Sequence, residues 1–303
     1  MSCPRRSSFF SLCVLAAAST NAPAVTPYIP RYDHVVIVIM ANHSAVDILG
    51  NSSAPYINTT LIPDGAFFSN SYAVTTPDLP NYYALFSGST QGVTDDSCPH
   101  YFAVAGSLGQ QLIDAGLSFA QYSESMPTAG YTECSSGLYA RSHNPVPDFA
   151  SLPSTANLTY SDFAGVLANA TLPTISFVVP NICNDMQGQS FGTTCFSFTA
   201  DLVDFGDQWL SDNVPIYLGS SSSQNGLLIV TWDQGTTTLT GNDTHIPTIF
   251  LGPHVKSGFV SSITINHYNV LRTLEDMYGL ASLGGAATAT PQIFGASGQV
   301  NSL

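Results

Sequence analysis

The sequence predicts an α/β fold, a mostly parallel sheet flanked by helices. Two observations point to it: four runs that read as strands buried on both faces, and helix-like patterns lying between them. The first run, His34–Met40 (HVVIVIM), is β-branched and lacks alternation, the mark of a central strand covered on both sides. The later runs are 174–179 (TISFVV), 227–232 (LLIVTW) and 246–251 (IPTIFL). Helix-like patterns cover 108–115, 198–218 and 268–278. In such sheets the ligand sits at the carboxyl ends of the strands. The residues to inspect are therefore Ala41-Asn42-His43-Ser44, then Pro180-Asn181 leading to Asp185, then Asp233-Gln234, and Gly252-Pro253 after the fourth run. Asn, Asp and Gly after strands also form ordinary turns, so each position alone is a weak signal.

At the amino end, Arg5 and Arg6 precede an apolar run over 9–18 and then small residues, the layout of a secretory signal peptide rather than a membrane span. The reading is a leader over residues 1–22, cleaved between about 18 and 25, followed by one domain over 23–303 and secretion of the mature chain. No later stretch has the roughly 20 apolar residues of a transmembrane helix. Once the leader is gone, only Arg31, Arg141, Lys256 and Arg272 face 20 acidic residues. That surface repels nucleic acid and anionic membranes.

Cys3 and Cys13 leave with the leader, so Cys98, Cys134, Cys183 and Cys195 remain in an oxidising compartment. Three pairings are possible, and Cys98 with Cys134 and Cys183 with Cys195 is preferred. The absence of any Cys-x-x-Cys spacing argues against a zinc site. Sequons at Asn51, Asn58, Asn157, Asn169 and Asn242 add a glycosylation expectation. Asn42-His43-Ser44 fits the same pattern but falls in the proposed pocket.

Four segments together resemble one family. HVVIVIMANHSAVD is similar to an opening in which a strand ends in Met-Glu-Asn-His-Ser-Phe-Asp, and AVTTPDLPNYYALFSGSTQGVTDDSCP is similar to a nucleophile segment of the form Thr-His-Pro-Ser-x-Pro-Asn-Tyr. VVPNICNDMQ resembles Val-x-Pro-Asn-x-x-x-Asp-Met-His, and VTWDQ followed by THIPTIFLGPHVKSG resembles Trp-Asp-Glu or Trp-Asp-Asp followed by His-Ile-Pro. They run in family order from His34 to about Leu280. The resemblance is to the phosphoesterases that include acid phosphatases and phospholipases C, related to alkaline phosphatase. It implies an alkaline phosphatase-like fold and phosphate-ester hydrolysis, with a Ser or Thr hydroxyl attacking phosphorus beside one or two metal ions. The substrate it implies is a small phosphate ester or a lipid headgroup; oligomeric state and ion identity stay open.

Carried over residue by residue, the pattern is incomplete. Ala41 replaces the metal-binding Glu, Asp78 the hydroxyl nucleophile, Gln187 the His of Asp-Met-His, and Gln234 the second carboxylate. An amide oxygen is a poorer ligand than imidazole or carboxylate. Asn42, Asp185, Asp233 and His245 survive, together with Arg141 and His143 in YARSHNP. The resemblance implies a weakened or lost divalent-metal site at Asp185, Asp233 and His245, and catalytic positions at Asn42, Asp78, Arg141 and His143, with Arg141 meeting phosphate. A competing reading makes His143 and His267 satisfied structural histidines. Asp78 can also be read as a metal ligand beside Asp185 and Asp233, or as an aspartyl nucleophile, with Thr76 as a substitute hydroxyl. Two functions follow: a secreted phosphoesterase of weak or altered chemistry, or an inactive pseudoenzyme that binds a ligand or partner.

Overall fold

The computed structural model describes residues 29–190, 193–195, 201–220, 223–238 and 241–292. The leader expected over 1–22 lies outside these residues, as does the Asn242 side chain.

Eight strands form the main sheet: β1 (His34–Met40), β2 (Ala66–Phe68), β3 (Phe119–Ser123), β4 (Asn157–Thr159), β5 (Ile175–Val179), β6 (Gly226–Trp232), β7 (Thr248–Leu251) and β8 (Phe259–Ser261). Their spatial order is β8-β2-β7-β6-β1-β5-β3-β4. Seven share one direction and β7 alone runs against them. The mostly parallel α/β sheet flanked by helices is as the sequence predicts.

β7 departs from expectation. Between β6 and β7, Thr237–Thr238 pairs antiparallel with Gly241–Asn242 and the described residues include no crossover helix, so β7 returns antiparallel to β6 with Leu251 beside Leu228. Gly252-Pro253 therefore sits at the amino end of β6, away from the carboxyl ends, and contributes nothing to the pocket expected there.

The unbroken apolar run of β1 conceals a period of two. Val35, Ile37 and Ile39 face one core with Leu79, Tyr82 and Phe86 of helix α1 (Asp78–Ser87) and with Leu271 and Leu274 of helix α2 (His267–Tyr278). Val36, Val38 and Met40 face a second core with Phe163 of the helix Tyr160–Ala168 and with Trp209, Leu210 and Val214 of the helix Leu202–Leu218. A strand covered on both faces must be apolar at every position. β3 escaped the sequence reading because Gln121 and Ser123 interrupt its apolar pattern although both are buried. Disulfides join Cys98 to Cys134 and Cys183 to Cys195.

Candidate active site

Three parallel strands end together, and their backbones lace the site floor. Asp233 N–H donates to Met40 O at 2.8 Å, and Ala41 N–H donates to Asp185 O at 2.7 Å. Past Ala41 the chain turns through Asn42 at φ 56°, a left-handed conformation that Asn tolerates, and this aims the Asn42 N–H at Asp233 Oδ1, 3.2 Å away. α1 delivers Asp78 from its first turn, with Leu79 N–H donating to Asp96 Oδ1 at 2.9 Å. Asn81 staples the preceding loop: its Oδ1 accepts from Val74 and Thr75 N–H at 3.0 Å each, and its Nδ2 donates to Thr75 O at 2.9 Å and Pro77 O at 2.8 Å.

The short 3-10 turn Arg141–His143 supplies the fourth wall, and His143 stands at the centre of the cluster. Its Nδ1 is 2.9 Å from Asp185 Oδ2, its Nε2 is 3.3 Å from Asp78 Oδ2, and Asp233 Oδ2 lies 3.9 Å from Nε2. The Tyr82 ring stacks on the imidazole at 5.3 Å, and Gln121 Nε2 donates to the His143 carbonyl at 2.9 Å. Both Asp78 oxygens are occupied. Gln234 Nε2 donates to Oδ1, Gln187 Nε2 donates to Oδ2, and Asn42 Nδ2 reaches Oδ2 at 3.5 Å. The second Gln234 amide proton goes to Asn42 Oδ1. Asp78, His143, Asp185, Asp233 and Gln234 are each no more than 3% exposed.

Burial and crowding set the protonation here. Burial first, then the charge of Asp78, pushes the Asp233 carboxyl well above its ordinary value. Burial also raises Asp185, and the hydrogen bond and charge of His143 offset only part of that rise. Burial works against a charged His143, but its bonds to Asp185 and Asp78 and their charges outweigh it, so its pKa stands well above the usual histidine range.

Asp78, Asp185, Asp233, Gln187, Gln234 and Asn42 thus lie together around His143, a histidine that also had a purely structural reading, and the cluster lacks the His245 expected beside Asp185 and Asp233. Two expected residues are engaged elsewhere. Arg141 directs its guanidinium to Asp148 and to the Thr132 carbonyl, both inside the protein, because a buried cation needs a buried acceptor. His245 stacks on Tyr72 at 5.1 Å and its Nε2 is 2.7 Å from the Ser69 carbonyl, outside the cluster. Sequence reasoning missed Tyr82 and Gln121; only the Tyr-Tyr of the PNYY segment and the polar residues inside β3 hinted at them.

Among the described residues, Asp78, His143 and Asp233 form a group whose ligand atoms lie within 4.8 Å of one another. Asp233 Oδ2 is buried without a hydrogen-bond partner, which suits a ligand atom. Two carboxylates and an imidazole fit a single divalent cation.

The model of the phosphoesterase family matches residues 54–281. The chain is 40% identical over 263 residues to the phosphatidylinositol-3-phosphatase of Mycobacterium tuberculosis, covering 87% of this chain and 82% of that protein. It is 26% identical over 295 residues to an acid phosphatase of Aspergillus fumigatus, covering 89% of this chain but only 62% of the fungal protein. Among solved structures, a protein of the alkaline phosphatase superfamily from Vibrio parahaemolyticus matches with a TM-score of 0.60 at 15% identity, covering 84% of this chain and 69% of that one. A phosphonate monoester hydrolase from Silicibacter pomeroyi matches with a TM-score of 0.56 at 12% identity, covering 86% and 75%.

Proposed function

Because the chain belongs to the phosphoesterase family, whose members hydrolyse phosphate esters, we propose that this site performs a slowed and altered version of that reaction, built around the Asp78 carboxylate in place of a hydroxyl. The observation that carries the reading is the clamp on Asp78: both oxygens accept amide protons, from Gln187 and Gln234. A carboxylate so held is a poor nucleophile and adds negative charge where a phosphate dianion must arrive.

Asp78, His143 and Asp233 would hold one cation, which when bound neutralises the ester's charge and lowers the pKa of a water. The chain's own residues do the rest. Asn42 and Gln187, the half-buried members of the cluster, are where a phosphate ester approaches. Tyr82 and Gln121 fix the His143 ring against one wall, so that Nε2 faces the reacting position. A small phosphate ester or a phosphorylated lipid headgroup is the proposed substrate, the latter supported by the name of the mycobacterial relative. Secretion is supported by the leader pattern and by the two disulfides. A second reading, binding without turnover, is favoured by the near-complete burial of the central carboxylates.

An assay of an aryl phosphate across acidic and neutral pH, with and without divalent metals, tests the proposal. We expect turnover at least about 100-fold below that of the variant Ala41→Glu/Asp78→Ser/Gln187→His/Gln234→Glu, a difference of about 2.7 kcal/mol in the barrier. Each substitution alone recovers little, since these groups act as a unit. Robust turnover that persists in Asp78→Asn and Asp233→Asn would show the chemistry to lie elsewhere.

A further inference from the structure

We infer that Asp185 is a positioning residue, not a cation ligand: it holds a proton on His143 Nδ1, so that Nε2 is the nitrogen that gives up its proton when a cation binds beside Asp78 and Asp233. This deepens the single-cation reading and rests on it for the effect on cation affinity, but not for the placement of the Nδ1 proton.

The two groups form a close ion pair in the interior. Asp185 Oδ2 lies 2.9 Å from His143 Nδ1, while Oδ1 is already taken by the Gln187 N–H at 2.8 Å. Both side chains are buried, with 3% and 0% side-chain exposure, so water cannot substitute for either partner. The Asp185 backbone is pinned as well, its N–H donating to Asn181 O at 2.8 Å and its carbonyl accepting from Ala41 N–H at 2.7 Å. Asp185 is also absent from the group of ligand atoms that Asp78, His143 and Asp233 form. A carboxylate that receives Nδ1–H leaves Nε2 to face a cation, which is how oriented histidine ligands are commonly held.

The replacement Asp185→Asn reverses this polarity. The Gln187 N–H requires an oxygen, so the amide oxygen takes the Oδ1 place and the NH2 group faces His143 Nδ1. That arrangement needs a lone pair on Nδ1 and leaves the ring's one proton on Nε2, where a cation can no longer bind.

The test uses 15N-histidine-labelled full chain, with zinc ion as probe. In the cation-free protein His143 should show a protected Nδ1–H far downfield, unchanged on adding zinc, and Asp185→Asn should abolish it. Zinc titration calorimetry should find Asp185→Asn weaker by roughly 10- to 100-fold. In a His143→Gln background the same replacement should have no further effect, because Asp185 acts through His143. A wild-type Nδ1 without a proton overturns the inference, and so does an Asp185→Asn penalty undiminished in the His143→Gln background, which would make Asp185 a direct ligand. If the wild type shows Nδ1–H and binds no zinc, the cation reading fails and the positioning role stands.

Discussion

Asp78 carries one negative charge in a place where water does not reach, and its neighbours are matched to that charge. Gln187 and Gln234 each donate an amide proton to it, whereas the His and Glu of the family pattern would offer a lone pair and a second carboxylate. The replacements at 78, 187 and 234 are therefore chemically interdependent. Removing a donor leaves a buried charged acceptor short of a partner, which costs about 1–3 kcal/mol. Gln234→Ala, at a buried position, should fall near the top of that range and Gln187→Ala, half-buried, near the bottom. In an Asp78→Ala background both costs should shrink towards zero, as urea denaturation would measure. If Gln234→Ala costs as much without the Asp78 carboxylate as with it, the clamp is not what Gln234 is for. The departures themselves were legible in the sequence, because each fell at a fixed place in a motif. The clamp was not, because its donors lie more than a hundred residues from Asp78 along the chain and only the fold brings them together.

The elements behind the site explain why two expectations took a different turn. The segment bearing His143 is tied down on both sides: Cys134 is disulfide-bonded to Cys98, and its carbonyl accepts the Arg141 N–H at 3.0 Å. Arg141 then pairs with Asp148, whose other oxygen accepts the Tyr83 hydroxyl of α1 at 2.7 Å. Arg141→Ala should therefore act on stability, destabilising by about 3–5 kcal/mol because Asp148 is left as an uncompensated buried charge. A thermal melt showing an unchanged midpoint, with only substrate affinity lost, would instead return Arg141 to phosphate. Sequons obey the same element-level logic. Asn157 opens β4 and is 2% exposed, with Nδ2 donating to Tyr131 O at 2.9 Å and Oδ1 accepting from Asn144 at 2.8 Å, so folding withdraws it from modification. Asn58 spends its amide on the Ile48 and Ala54 carbonyls at 2.8 Å each, and Asn51 donates to Asp47 O at 2.8 Å. Asn169 stands exposed after a helix. In a glycosylating host, peptide mapping should find a glycan on Asn169 and none on Asn157; an occupied Asn157 would contradict its packing. Strand runs such as HVVIVIM were legible because covering a strand on both faces forces every position to be apolar. The sense of β7 was not, because direction depends on the connection preceding it, and the segment between β6 and β7 carries no periodic pattern.

At the scale of the whole molecule, 20 acidic residues against 6 basic ones make the folded chain self-repelling at neutral pH, and several buried groups push in the same direction. Asp185, Asp233 and His143 all have folded pKa values above their ordinary ones, so each favours the folded state more as pH falls. His267 opposes them: burial lowers it to about 4, so stability is lost on its account as pH falls below the ordinary histidine value. Between those limits, Glu275 is the residue whose contribution can be isolated. It lies in α2 fully buried, with Oε1 accepting the Leu283 N–H at 2.8 Å and Oε2 without a hydrogen-bond partner. Burial pushes its carboxyl from the ordinary 4.5 up to about 7. Its folded pKa is thus above its unfolded one, so between those two values the folded chain keeps a proton that the unfolded chain has released. The stabilisation is complete below the unfolded value and is lost as pH rises through the folded one, amounting to up to about 3 kcal/mol. Glu275→Gln keeps an oxygen for Leu283 N–H and cannot ionise. It should leave stability at pH 4 nearly unchanged, raise it above pH 7, and flatten the slope between. Urea denaturation at about half-unit pH intervals would read this directly. Equal pH slopes in wild type and variant would mean that Glu275 ionises freely in the folded protein, and that the acid preference of the fold rests on the carboxylates of the active site instead.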